Sequence, residues 1–467
     1  MFRKPFLLLF YLSVFGSALL AQEKWKFQIV FGDTDFGPVN TFMYASYDKS
    51  NTIYQLHSLP DADRRIFGSG KSALLRLLNK VPKKGIFLTI NDIEIVHNND
   101  ETDSLIGNLI MPMLGKNIFK GIKKNDTIHG SFYSINYNVP IFMTGYKTIA
   151  DANFDYKNLP QHIFDTTQKY LFNTSYLNTR QWKKFKSRTR ILSTVAADDI
   201  EWFFGFNINS QKLPFSHYNL TFNSPPGNKK VNETNSIELR SKDNVFFKEA
   251  NDETALLEVK SFSGGILEMD SVFSHVLKHK YKNLIIDLRN NPGGGLTSAN
   301  QLGEYLVDKQ LDIGFFVTNK WYTKNEINNF DLESLPVSEE ITTEGLRAEL
   351  LNIEGCKLII KPGKSHYDGK IFVLTSRNTA STCEPMVYAL KTNDLATVVG
   401  ENTAGAMLSA SNFHIMNNFY IFMAQADYYT PDKTRIDQVG VAPNIKVPSE
   451  EAYDYVLKLI SEQENGH

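Results

Sequence analysis

The sequence predicts an α/β fold, in which a core of alternating strands and helices follows a β-rich N-terminal domain and a small helical module. Three observations carry this reading. From residue 216 onward, buried-strand patterns such as Asn283-Leu284-Ile285-Ile286-Asp287-Leu288 alternate with helical spacing, the pattern of parallel strands joined by crossover helices. Over 157–212 the apolar residues, among them Ile163, Tyr170, Trp182, Phe185 and Phe203, fall at helical intervals. Over 22–156 short period-two stretches such as Lys26-Phe27-Gln28-Ile29-Val30 are broken by Gly, Asn and Asp.

Taken in order, residues 1–21 come first. Arg3 and Lys4 precede an apolar run ending near Ala21, the order of a secretory signal peptide. The run is shorter than the ~20 residues a membrane span usually needs, so a retained anchor is the weaker reading. The β-rich domain of 22–156 contains one helical run at 72–78. The helical module of 157–212 has Asp198 and Asp199 placed to cap its last helix. The core of 213–450 carries strands at 255–259, 283–288 and 370–375, and helices at 270–279, 298–309 and 384–391. Within it, the polar, aromatic-bearing stretch 311–368 reads as an insertion or lid. A C-terminal helix and tail occupy 451–467.

The composition is that of a folded globular chain, with 42% hydrophobic and 22% charged residues in 467. With a net charge of -1, nothing overall points to nucleic acid or to an anionic membrane surface. Cys356 and Cys383 are the only cysteines. A core this large does not need a disulfide, so buried free thiols are the favoured state, with a single bridge as the alternative.

Three tempting signals fail. Gly68-Ser69-Gly70-Lys71-Ser72 resembles the end of a phosphate-binding loop, but Arg65 stands where that pattern needs Gly. His275 and His279 share a helix face without the Glu of a zinc-protease helix, and read as surface histidines. The chain also lacks the G-x-S-x-G elbow of α/β-hydrolases. No cofactor and no metal is implied.

Two segments carry chemistry. Asp287-Leu288-Arg289-Asn290-Asn291-Pro292-Gly293-Gly294-Gly295 follows a buried strand, and its glycines let backbone N–H groups approach a ligand. Thr379-Ala380-Ser381-Thr382-Cys383-Glu384 stands between a buried strand and a helix. Ser381 there suits a nucleophile near the positive end of a helix, and equally an ordinary N-cap.

Together these segments resemble those of the C-terminal-processing (tail-specific) peptidases and tricorn core proteases. In that family a strand ending in D-L-R-x-N-x-G-G precedes T-A-S-x-x-E, whose Ser is the nucleophile. Gly400-Glu401-Asn402-Thr403-Ala404-Gly405 and Gly440-Val441-Ala442-Pro443-Asn444-Ile445 match two further family elements. The resemblance covers roughly the last half of the chain. It implies a crotonase-like ββα superhelical peptidase core and a serine peptidase; with the signal peptide read at 1–21, this is an exported enzyme, periplasmic or secreted, acting on exported polypeptides. The stretch from His217 to Ala255 is too short for the PDZ domain the family often inserts.

The tail-specific branch pairs Ser with a Lys, and Ala406 occupies that position here. The tricorn-like branch uses His preceded by Ser, and a Glu three residues before the closing Gly-Val. Ser216, His217, Ser381 and Asp437 can be laid onto that set, with Asp437 in place of Glu. The resemblance then implies that His217 is the base, that Ser216 and Asp437 fix its tautomer, and that N–H groups of Thr382 and of Gly293 or Gly294 hold the oxyanion. A His base implies activity falling through the imidazole range near ~6.5. The alternative is a catalytically silent peptide- or lipophile-binding protein on the same fold, as in the retinoid-binding proteins that share this core.

Overall fold

The computed structural model describes residues 23–465 apart from 32–37, 48–51, 59–87, 99–100, 112–114, 135–138, 151–153, 197, 223–243, 325–330 and 341. The expected signal peptide, the Gly68–Ser72 segment and the helical run 72–78 lie outside the described residues. The rest divides into two compact units. One comprises the described residues up to Phe154 together with 198–201. The other comprises 155–196 and 202–465.

The first unit is a closed eight-stranded barrel: β1 (Lys24–Phe31), β2 (Val39–Tyr47), β3 (Ile53–His57), β4 (Thr89–His97), β5 (Thr102–Met111), β6 (Gly115–Lys124), β7 (Thr127–Ser134) and β8 (Val139–Thr148). Every neighbouring pair is antiparallel, and β8 closes the ring on β1 from Lys24↔Thr148 to Phe31↔Ile141. Closure removes the sheet edges that a lone β-sheet would expose. Alternation along β1 buries Trp25, Phe27 and Ile29 inside.

The second unit begins with helices α1 (Leu159–Tyr170), α2 (Arg180–Val195) and the part of α3 (Asp199–Ser210) from Trp202 on. Asn158, Thr179 and the turn around Thr174 separate these runs. A short strand β9 (Tyr218–Phe222) follows the helices.

Two sheets form the core. The larger has strands β10 (Val245–Asn251), β11 (Thr254–Val259), β12 (Asn283–Asp287), β15 (Lys370–Thr375), β16 (Thr397–Gly400) and β19 (Ile445–Lys446) in that spatial order, parallel from β11 onward. The smaller is antiparallel, with β14 (Gly355–Ile360), β13 (Leu311–Thr318), β18 (Phe419–Tyr429) and β17 (Leu408–Met416), and β9 on β18.

The parallel strands are apolar on both faces because both are covered. Leu284 and Ile286 face α4 (Ile266–His279), α5 (Leu296–Leu306) and α8 (Cys383–Thr392). Ile285 points the other way, with Phe372, Leu374 and Val399, onto Ala452, Val456 and Ile460 of α9 (Ala452–Asn465). The first of these cores continues to Ile313, Phe316, Leu358 and Tyr428 of the antiparallel sheet.

The stretch 311–368, read from sequence as an insertion or lid, supplies β13 and β14 to that sheet, with α6 (Asn319–Lys324) and α7 (Thr343–Leu350) between them. Cys356 and Cys383 are buried free thiols. His275 and His279 lie on the exposed side of α4 beside Glu249. Among the described residues no helix is long and apolar enough to cross a membrane.

Candidate active site

The site lies at the C-terminal ends of β12 and β15. These strands pair in parallel, so the turns that follow them are neighbours. Leu288 N–H donates to Leu374 O at 3.0 Å, Thr379 Oγ1 to Leu288 O at 2.8 Å, and Ala380 N–H to Asn291 O at 3.0 Å. These bonds draw the glycine turn against Ser381. A Cβ on Gly293 would lie 2.6 Å from Ser381 Cβ, so only glycine fits there.

Glu384 holds the Ser381 turn from beneath. Its buried carboxylate accepts from Ser381 N–H at 3.1 Å, Thr403 Oγ1 at 2.6 Å, Gly405 N–H at 2.7 Å and Ala406 N–H at 2.8 Å. Burial raises its pKa, and the four donors oppose that rise. One side chain thus ties the turn to the loop where Ala406 stands. The sequence motif contained Glu384 but did not reveal this role.

Ser381 does not cap α8. Thr382 is the N-cap residue, and no side-chain cap bond is made. Among the described residues, Ser381 Oγ has no hydrogen-bond partner. Its φ is 56°, in the left-handed region.

His217 also has a left-handed backbone, with φ 54°. Its ring Nδ1 lies 2.6 Å from Ser216 Oγ, which donates to Asp437 Oδ1 at 2.7 Å. Asp437 Oδ2 takes Arg435 Nη2–H at 3.0 Å. Arg435 Nε–H reaches Asp427 at 2.8 Å, and Asp427 accepts the Tyr322 hydroxyl at 2.9 Å. Neither Arg435 nor Asp427 stood out in the sequence. A carboxylate only accepts, so Ser216 spends its proton on Asp437 and receives the Nδ1–H of His217 on a lone pair. Nε2 then carries the free lone pair of the imidazole.

Burial pushes the His217 imidazole down to about 4, and the Arg347 guanidinium acts in the same direction. Burial pushes the Asp437 carboxyl up to about 6, against the Ser216 hydroxyl and Arg435. His217, Ser381, Gly294 and Thr382 line one pocket of about 250 Å³.

Of the two glycine N–H groups expected around an oxyanion, that of Gly293 donates to Asn291 Oδ1 at 2.8 Å. Among the described residues, the backbone N–H groups of Gly294 and Thr382 have no hydrogen-bond acceptor.

Residues 253–447 match the model described as Peptidase family S41. The carboxy-terminal-processing protease of Bartonella bacilliformis is 26% identical over 211 residues, which cover 44% of this chain and 41% of that protein. The carboxyl-terminal-processing protease of a Synechocystis species is 29% identical over 160 residues, 34% of this chain and 30% of the relative. This chain therefore spans well under half the length of these curated relatives. The solved tricorn protease aligns with 95% of this chain and 59% of its own at a TM-score of 0.42 and 10% identity, too loose to transfer residues. Residues 253–447 are thus similar to peptidase family S41. That segment contains Ser381, Glu384 and Asp437 but not Ser216 or His217.

Proposed function

We propose that this chain is a serine-type peptidase that hydrolyses peptide bonds of exported polypeptides, with Ser381 as nucleophile and His217 as general base. The observation that carries the reading is the hydrogen-bonded series Asp437–Ser216–His217, whose imidazole lines the same pocket as an unpartnered Ser381.

In this reading Nε2 of His217 takes the Ser381 hydroxyl proton as Oγ bonds to the substrate carbonyl carbon. The N–H groups of Gly294 and Thr382 receive the resulting oxyanion. The imidazolium then gives its proton to the leaving amine as the C–N bond breaks. Water, deprotonated by the same nitrogen, attacks the acyl-enzyme, and the carboxylic acid leaves with Ser381 restored. Asp437 and Ser216 keep the proton on Nδ1, so Nε2 remains the base.

Casein hydrolysis by the purified protein tests this. Ser381→Ala should lower the rate by several orders of magnitude with the fold intact; an unchanged rate would refute the assignment. The export part of the proposal rests on the order of residues in 1–21. Mass spectrometry of fractionated cells should find the mature chain outside the cytoplasm, starting near residue 22. A chain still beginning at Met1 in the cytosol would contradict it.

A further inference from the structure

The pocket beside Ser381 has a chemistry of its own. Its walls are the buried side chains of Ile313 and Phe316 on β13, Leu358 and Ile360 on β14, and Met386 on α8. At about 250 Å³ it is sized for one side chain rather than a whole drug-like ligand. Arg347, on α7, also lines it. The Arg347 charge is poorly neutralised: Glu344, its ion-pair partner, is 3.9 Å away and largely exposed. Among the described residues lining the pocket there is no Asp or Glu.

We infer that this pocket binds the side chain of the residue whose carbonyl Ser381 attacks, that it selects large aliphatic or aromatic residues, and that Arg347 excludes Lys and Arg. The inference rests on the serine-peptidase reading. Its warrant is position: Ser381, Gly294 and Thr382, the groups expected around the attacked carbonyl, share the pocket with these walls. The side chain next to that carbonyl is the one within reach. Burying it in an apolar pocket is favourable, whereas a buried ammonium beside Arg347 would have no carboxylate partner and a like charge nearby.

The test uses the intact protein and peptides that differ only at the residue on the acyl side of the scissile bond. Leu and Phe should exceed Ala in kcat/KM by about tenfold or more, and Lys should fall below Ala. In Arg347→Glu the Lys peptide should gain on Leu by about tenfold. Equal rates for Leu and Ala, or Lys as good as Leu, would overturn the inference. So would an Arg347→Glu variant that is folded but leaves the ratio unchanged; if that variant does not fold, the wild-type series decides alone. A fluorophosphonate reagent separates the two levels of failure. Labelled Ser381 with a flat peptide profile removes only the specificity, whereas absence of both labelling and cleavage removes the peptidase reading and this inference with it.

Discussion

Ser381 and His217 both hold left-handed backbone conformations, at φ 56° and 54°. For a residue with a Cβ this costs roughly 1–2 kcal/mol. Strain of this kind persists where surrounding bonds fix the chain, here Glu384 beneath Ser381 and the Ala424 N–H donated to His217 O. Replacing Ser381 by Gly should therefore raise the melting temperature, with a gain of about 1 kcal/mol. Ser381→Ala should bring no such gain, and both variants should lack hydrolysis. Calorimetry on the two proteins checks this.

The acid limb of activity is also a residue-scale matter. With the His217 imidazole pushed down to about 4, its own protonation falls well below the usual imidazole range. The Asp437 carboxyl, pushed up to about 6, protonates first as pH drops. A protonated Asp437 can donate to Ser216, which frees Ser216 to donate to Nδ1 and moves the imidazole proton to Nε2. Activity should thus fall as pH drops through about 6 because of Asp437, not His217. In Asp437→Asn the limb near pH 6 should vanish, leaving lower activity that falls only near 4. The pH dependence of kcat/KM in both proteins measures it. The sequence alone pointed to ~6.5, since burial and the approach of Arg347 depend on chain segments brought together only by folding.

At the scale of elements, the turn after β12 and the turn before α8 act as one unit through Glu384 and the close fit of Gly293. Glu384→Gln keeps the shape but puts an NH₂ where N–H and O–H donors converge. Losing charge-assisted bonds costs roughly 1.5–3 kcal/mol each, so this variant should unfold several degrees earlier and react slowly at Ser381. Gly293→Ala, whose Cβ would lie 2.6 Å from Ser381 Cβ, should unfold earlier and lose at least about a hundredfold in rate, because a displaced Ser381 loses its alignment. Denaturation curves and hydrolysis rates test both. Much of this was legible in sequence, because the Gly-rich turn and T-A-S-x-x-E are local patterns. The fate of the Gly293 N–H was not, since it depends on how the Asn291 side chain turns back. Nor was the role of 311–368: β13 pairs with β14 and with β18, partners separated from it by long stretches of chain. Periodicity shows that a strand exists but does not name its neighbour.

At the scale of the molecule, the chain order runs from barrel to helices to α/β core, and Ser381, Glu384 and Asp437 lie in the last. The β-rich character of the first unit was readable from period-two patterning. Its closure, β1 against β8 across almost the whole segment, was not. The family match ends at residue 253 on its N-terminal side, so His217 belongs to the account through geometry rather than through the matched segment. Activation of Ser381 by His217 can be read from the reactivity of the serine itself. The measurement is the rate at which a fluorophosphonate labels Ser381, with the adduct located by peptide mass spectrometry, in wild type and in folded His217→Ala. Rapid, single-site labelling of Ser381 is expected in wild type, with a loss of several orders of magnitude in the variant, approaching Ser381→Ala itself. Labelling of His217→Ala at the wild-type rate, or an adduct on another residue, would contradict it.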